Sequence, residues 1–343
     1  MLFSKPDKRK TDFLLRHPEM ATNYICRNYP FNFEELKQYQ YDVDWYHISL
    51  NHHVEWSYKL IDYFVDKLDF HCKTTDYFPG FFCLNHGLPW SIELIKRYEH
   101  LWDWNILMFN SKLYSNKEIY DYMKKVYREY TTDEHLKKAS KKCDSLAGTD
   151  FDYYENNYDL EYSFTDLSTY FSSLHQNWAE VEADPNPDWE AICNNSALDW
   201  SLEKIEKYKN KINFRQLSFN IAVPWSAELL SKYMMYFIRD TYRSAEVKGD
   251  YEFMGILSMN RHFPWNLQTI TQFEKIIDFN CLTCNPAVDW SIEILLKYEN
   301  RWGMPHLYHN PNIMPKAFAE MQNKEVMKEM LEMIIKNHKK LNN

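Results

Sequence analysis

Two cysteines and two histidines are the most suggestive chemical groups in this sequence. Cys281 and Cys284 stand in "CLTC", and His306 and His309 occupy the same two places of a pattern that recurs 25 residues later, in "HLYH". Thiolates and imidazoles are the ligands of a tetrahedral zinc site, and stacked units of the chain would bring the four together. Other copies of the pattern, however, hold Leu50, Leu84, Phe109, Phe219 and Met259 where Cys284 and His309 stand. Apolar packing therefore accounts for the cysteine, and no metal or cofactor is expected. His47, His52, His53, His71 and His86 gather near Cys72 and Cys83 without a repeated ligand spacing and read as loop and surface residues. Histidine is the usual general base, yet no G-x-S-x-G nucleophile pattern accompanies these residues. The glycines number 6 and form neither G-x-G-x-x-G nor G-x-x-x-x-G-K-[ST], so the chain is not read as an enzyme.

The elements that must position these groups are repeats. A tryptophan follows an asparagine by five residues in six pairs: Asn51/Trp56, Asn85/Trp90, Asn195/Trp200, Asn220/Trp225, Asn260/Trp265 and Asn285/Trp290. Asn110 and Asn310 keep the spacing where the tryptophan is lost. The unit is read as two short helices. An aromatic of the first (Trp45, Trp104, Trp189, Phe214 or Phe279) precedes the asparagine by six positions and faces inward. The asparagine, tolerant of a left-handed backbone and able to bond its own neighbours, is read as the device that stops this helix.

Ser57, Ser91, Ser201, Ser226 and Ser291, with Asn266 in one copy, then cap a second helix. Glu93, Glu203, Glu228 and Glu293 set negative charge against its positive end. Phe64, Tyr98, Tyr208, Tyr233, Phe273 and Tyr298, eight residues past the tryptophan, complete an internal ladder.

This pattern predicts an all-α chain, an α-solenoid of helical hairpins with a 25-residue period. Residues 1–19 lead in, 20–110 form a first repeat block, 111–188 hold degenerate repeats and an insertion, and 189–314 form a second block. Residues 315–343 read as one amphipathic helix that caps the last repeat, the whole forming one continuous solenoid. No stretch has 18 consecutive apolar residues and the start lacks an apolar leader, so a soluble cytoplasmic protein with no membrane partner is expected. Seven scattered cysteines fit a reducing compartment.

Net charge is concentrated in one segment. Asp144 to Asp188 carries eleven acids and no lysine or arginine, which leaves 40 cations against 38 acids in the rest of a chain whose formal charge is −9. Interleaved aromatics distinguish the segment from a solvated linker. Asp152, Tyr153, Tyr154, Glu155, Asp159, Glu161, Tyr162 and Asp166 make a candidate surface for a basic protein, with rings as contact area and acids steering the encounter. Lys137, Lys138, Lys141 and Lys142 just before it offer internal partners instead, and the same tyrosines could pack on the repeats. Direct nucleic-acid binding is not expected at a pI near 5.8.

The W-S-x-E-L-I-x-K-Y unit resembles the short tryptophan-rich repeats of uncharacterised bacterial and large-virus proteins, over roughly residues 20 to 314. The resemblance specifies a repeat type and implies no activity. The reading is a non-enzymatic protein–protein interaction solenoid, in its sharper form an immunity-type inhibitor that covers the basic site of a toxin. The alternatives are a structural component of a virion or large assembly, using residues such as Arg261 and His262 as lateral contacts, and a metal-binding protein or enzyme built on the cysteine and histidine pairs.

Overall fold

Short helices built on side-chain caps make up the chain, as seen in a computed structural model that describes residues 7–70, 81–107, 110–114, 116–130, 175–244 and 257–341. Each second helix of the pattern starts at its predicted serine. Ser57 Oγ accepts the Leu60 N–H (3.3 Å), Ser91 that of Leu94 (3.1 Å), Ser201 that of Lys204 (3.2 Å), Ser226 that of Leu229 (3.1 Å) and Ser291 that of Ile294 (3.3 Å). Asn266 forms a reciprocal capping box with Thr269. Each first helix has a cap of its own in the residue before the inward aromatic: Asp44, Asp188, Asn213 and Asp278 accept amides from the first turn.

In chain order the α-helices are α1 (Lys8–Arg16), α2 (Pro18–Asn28), α3 (Phe33–Tyr39), α4 (Trp45–Ser49), α5 (Tyr58–Phe64), α6 (Ile92–Arg97), α7 (Trp104–Leu107), α8 (Ser111–Tyr114) and α9 (Lys117–Tyr130). They continue with α10 (Trp178–Ala183), α11 (Trp189–Asn194), α12 (Leu202–Tyr208), α13 (Phe214–Leu217), α14 (Ala227–Ser244) and α15 (Leu267–Phe273). The last are α16 (Phe279–Cys284), α17 (Ile292–Lys297), α18 (Met304–His309), α19 (Ile313–Ala317) and α20 (Lys324–Leu341). Among the described residues there is no strand, and no helix is long and apolar enough to cross a membrane. The chain divides into two compact units, one of Met1–Leu146 with Phe318–Asn343 and one of Ala147–Ala317.

Helices of four to seven residues, such as α13 and α12, are too short to persist alone, so contacts between successive copies must hold them. The asparagines supply those contacts. Asn220 Nδ2 donates to the carbonyls of Cys193 (2.8 Å) and Asn195 (3.0 Å), one copy earlier, while its Oδ1 accepts the Ala222 N–H (2.8 Å). Its backbone carbonyl takes the indole N–H of Trp225 at 2.8 Å. Asn285 repeats the arrangement on Ser258 and Asn260, and Asn85 does so on Ser49 and Asn51. Orphan carbonyls at the end of one short helix are thus satisfied by the next copy. The expectation of a left-handed asparagine is corrected: Asn195, Asn285 and Asn310 have φ of −77°, −79° and −71°, an extended backbone. The side chain ends the helix by bonding, without an unusual backbone angle.

A second column explains three cysteines. Ser49 Oγ accepts the Asp69 N–H at 3.0 Å and Ser258 Oγ that of Asp278 at 3.1 Å, each bond joining a helix end to the start of the next copy. Cys26 Sγ does the same for Asp44 at 3.3 Å, and the thiols of Cys83 and Cys193 receive the backbone N–H of Asp103 and Asn213. These buried sulfurs take the place of a serine hydroxyl. Burial raises the Cys83 thiol and pushes those of Cys26 and Cys193 up to about 12, so they are inert acceptors.

Trp56, Trp200, Trp225, Trp265 and Trp290 are internal, with Trp265 at 1% and Trp225 at 8% exposure, while Trp45, Trp90 and Trp189 are half-buried. The C-terminal helix, expected on the last repeat, packs within the first unit against α1 and α2, burying Met327, Met330, Leu331 and Ile334. Lys328–Glu35 (2.9 Å), Lys10–Glu320 (2.9 Å) and Tyr39–Glu332 (3.2 Å) join these elements, and Phe13 meets Phe318 at 5.9 Å between centroids. An amphipathic helix goes where an apolar face waits for it, and the N-terminal helices present one.

Candidate interaction surface

The repeated lysine–tyrosine pair of the second helices clasps an acid on the preceding copy. Tyr98 Oη donates to Asp62 at 2.7 Å while Arg97 forms a forked pair with the same carboxylate. Tyr208 and Lys207, with Lys204, converge on Glu182 at 2.7, 2.9 and 3.2 Å. Tyr233, Lys232 and Lys209 converge on Glu206. Where Thr271 replaces the acid, Lys297 and Tyr298 bond its hydroxyl, and Tyr298 also reaches Glu274 at 3.0 Å. The Tyr208 hydroxyl foremost, then the lysines, brings Glu182 down to about 2, and Lys209 foremost does the same for Glu206. These exposed groups bind copy to copy.

The same holds for the C-terminal part of the acidic segment. Glu180 accepts from Gln176 N and Asn177, Glu182 is clasped, Asp184 meets His175 at 3.1 Å, and Asp188 caps α11. The candidate partner-binding residues Asp152, Tyr153, Tyr154, Glu155, Asp159, Glu161, Tyr162 and Asp166 lie outside the described residues, as do the lysines at 137–142.

The zinc grouping is not formed. Cys281 and Cys284 are half-buried in α16, and His306 and His309 are exposed on α18, which packs beside it. Among the described residues no three histidine, cysteine or acidic side chains converge as a metal site. Burial first, then Asp278 and Cys284, pushes the Cys281 thiol up to about 12. Of the histidines, His52 and His86 stack at 5.5 Å with planes 13° apart on the loop edge. His52 Nδ1 lies 3.0 Å from Asn85 Oδ1, which can only accept, so this nitrogen carries the proton.

Sequence reasoning missed a second surface, on α3 to α5. Lys59 Nζ lies 4.3 Å over the Phe33 ring, Lys37 5.8 Å over Tyr63, and Lys67 4.7 Å over Tyr41 and 5.9 Å over Trp45. The rings are linked through Phe33–Tyr63 at 5.2 Å, Tyr63–Phe64 at 4.7 Å and Trp45–Phe64 at 4.6 Å. Tyr41 is 85% and Tyr63 50% exposed. Trp45 and Phe64 hold repeat positions, and a cation over the first-helix aromatic recurs in Lys211 over Trp189 (5.4 Å) and Arg301 over Phe279 (3.9 Å); what is particular to this face is Phe33, Tyr41 and Tyr63 beside them.

Comparisons with protein-family models, with curated proteins and with solved structures find no match, so function is argued from this geometry alone.

Proposed function

We propose that the chain is a non-enzymatic, cytoplasmic α-solenoid that binds proteins, and that it acts as an immunity-type inhibitor of a basic partner through Asp152, Tyr153, Tyr154, Glu155, Asp159, Glu161, Tyr162 and Asp166. The observation that supports this reading is the internal use of the repeated asparagines, serines and lysine–tyrosine pairs. The asparagines bond the preceding copy, the serines cap helices, and the lysine–tyrosine pairs clasp acids. What recurs is therefore architecture, and recognition falls to what does not recur, above all the acidic, tyrosine-rich residues between 144 and 166. Carboxylates steer a basic protein into encounter, and tyrosines supply rigid contact area.

The test is charge reversal at Asp152, Glu155, Asp159 and Glu161, followed by capture of partners from native lysate. A basic protein retained by the unaltered chain and lost from the variant, with thermal unfolding unchanged, supports the inhibitor. Equal retention by both rejects it.

A further inference from the structure

We propose a second interaction surface, the lysine–aromatic face of α3 to α5, whose occupant is an acidic segment of a partner protein. Two of the most exposed large hydrophobic side chains among the described residues, Tyr41 and Tyr63, stand here together with the half-buried Phe33 and Trp45. Ammonium groups of Lys37, Lys59 and Lys67 lie over these rings, and none of the three pairs with a carboxylate among the described residues. Nearby Asp62 is held by Arg97 at 2.6 Å, and Asp42 lies 4.0 Å from Lys339. Exposed Glu34 at the start of α3, Asp44 at the cap of α4 and exposed Asp66 beside Lys67 are the local acids whose charge opposes the proposal.

The positive character extends past Lys37. Beginning at Gln38, a cleft of about 440 Å³ runs between the end of α3 and α20, lined by Lys336, Lys339 and Lys340 along with Tyr39, Asp42, Glu332 and Ile335. Over face and cleft together Lys37, Lys59, Lys67, Lys336, Lys339 and Lys340 stand against Glu34, Asp42, Asp44, Asp66 and Glu332, so lysines outnumber acids here in a chain whose formal charge is −9. Charge complementarity selects an anionic occupant.

Protein carboxylates fit better than nucleic acid for two reasons. Bases bind by stacking on open ring faces, and here those of Phe33 and Tyr41 carry ammonium groups that would have to leave. The negative net charge of the chain also repels a dense phosphate backbone. A carboxylate instead meets each ammonium where it stands, while apolar side chains beside it cover the ring edges. The residues of this surface are not those at 144–166, so either reading can fail without the other.

The experiment measures binding of a fluorescent copolymer of glutamate and tyrosine to the full chain by anisotropy, against a single-stranded thymidine oligonucleotide as competitor. Salt-sensitive binding is expected, weakened about tenfold or more in K37E/K59E/K67E, the size of effect that loss of interfacial charge pairs produces. Tyr41→Ala, at a position too exposed to disturb the fold, should weaken it as well. Circular dichroism checks that the triple variant is folded. No copolymer binding, binding indifferent to both variants, or displacement by the oligonucleotide at lower concentration overturns the proposal.

Discussion

Asn85 Nδ2 lies 2.7 Å from the carbonyl oxygen of Ser49, a residue 36 positions earlier, and 3.1 Å from that of Asn51. One carboxamide thereby joins two copies of the pattern in spite of the added residues between them. The side chain is fully buried, away from water that could replace it, and the Asn51 carbonyl takes the Trp56 indole N–H as well.

Replacing an asparagine of this column should be among the most damaging single changes. Asn220→Ala strips the Cys193 carbonyl and the Ala222 N–H of their partner in a buried site and leaves the Asn195 carbonyl with the Trp200 indole N–H alone. With each unsatisfied group costing roughly 1–3 kcal/mol, a loss on the order of 3 kcal/mol or more is expected in urea unfolding. A loss below about 1 kcal/mol would show that water replaces the side chain.

Cysteines of the serine column should accept a hydroxyl and refuse a hydrocarbon. Cys193→Ser keeps an acceptor for the Asn213 N–H and is expected to unfold within about 1 kcal/mol of the parent. Cys193→Val should cost roughly 1–3 kcal/mol more through the unpaired amide. Equal stability of the two variants would mean that the thiol is packing alone.

Gly87 is required by close approach of backbones. A Cβ there would stand 2.6 Å from the carbonyl oxygen and 2.8 Å from the Cα of His52, neither of which can swing aside. Gly87→Ala is expected to cost roughly 1–3 kcal/mol by thermal melting, as overpacking does, and to separate the stacked rings of His52 and His86. An unchanged melting temperature would place the two loops farther apart than described.

The clasped acids make stability depend on pH in a stated window. Glu182 and Glu206 ionise near 2 in the fold against 4.5 for a free side chain. The unfolded chain therefore binds more protons in this range, and stability rises with pH there. Their contribution is complete above about 4.5 and lost as pH falls toward 2. In melting curves taken across that window, Glu182→Gln should show a shallower fall than the parent, and salt should reduce the difference because the pairs are exposed. Parallel curves for parent and variant would contradict the clasp.

What the sequence determined by itself was whatever rests on neighbours a few residues apart. Ser201 caps α12 by reaching Lys204, and Asn220 takes the N–H of Ala222 and, through its carbonyl, the indole of Trp225, so spacing alone announced helix starts and stops. The caps Asp44 and Asp278 obey the same local rule and were open to the same reading. Tertiary structure decided everything whose partner lies a copy or more away. The Nδ2 of Asn220 finds Cys193, the Cys26 thiol stands in for a serine, and α20 returns to α1 and α2. Lys59 settles over Phe33, and Cys281, Cys284, His306 and His309 fail to meet as a metal site. Periodicity states which residues share a face, but the carbonyl, ring or apolar surface that each face meets depends on how successive helices stack, and that geometry is set by packing over distances no local pattern encodes.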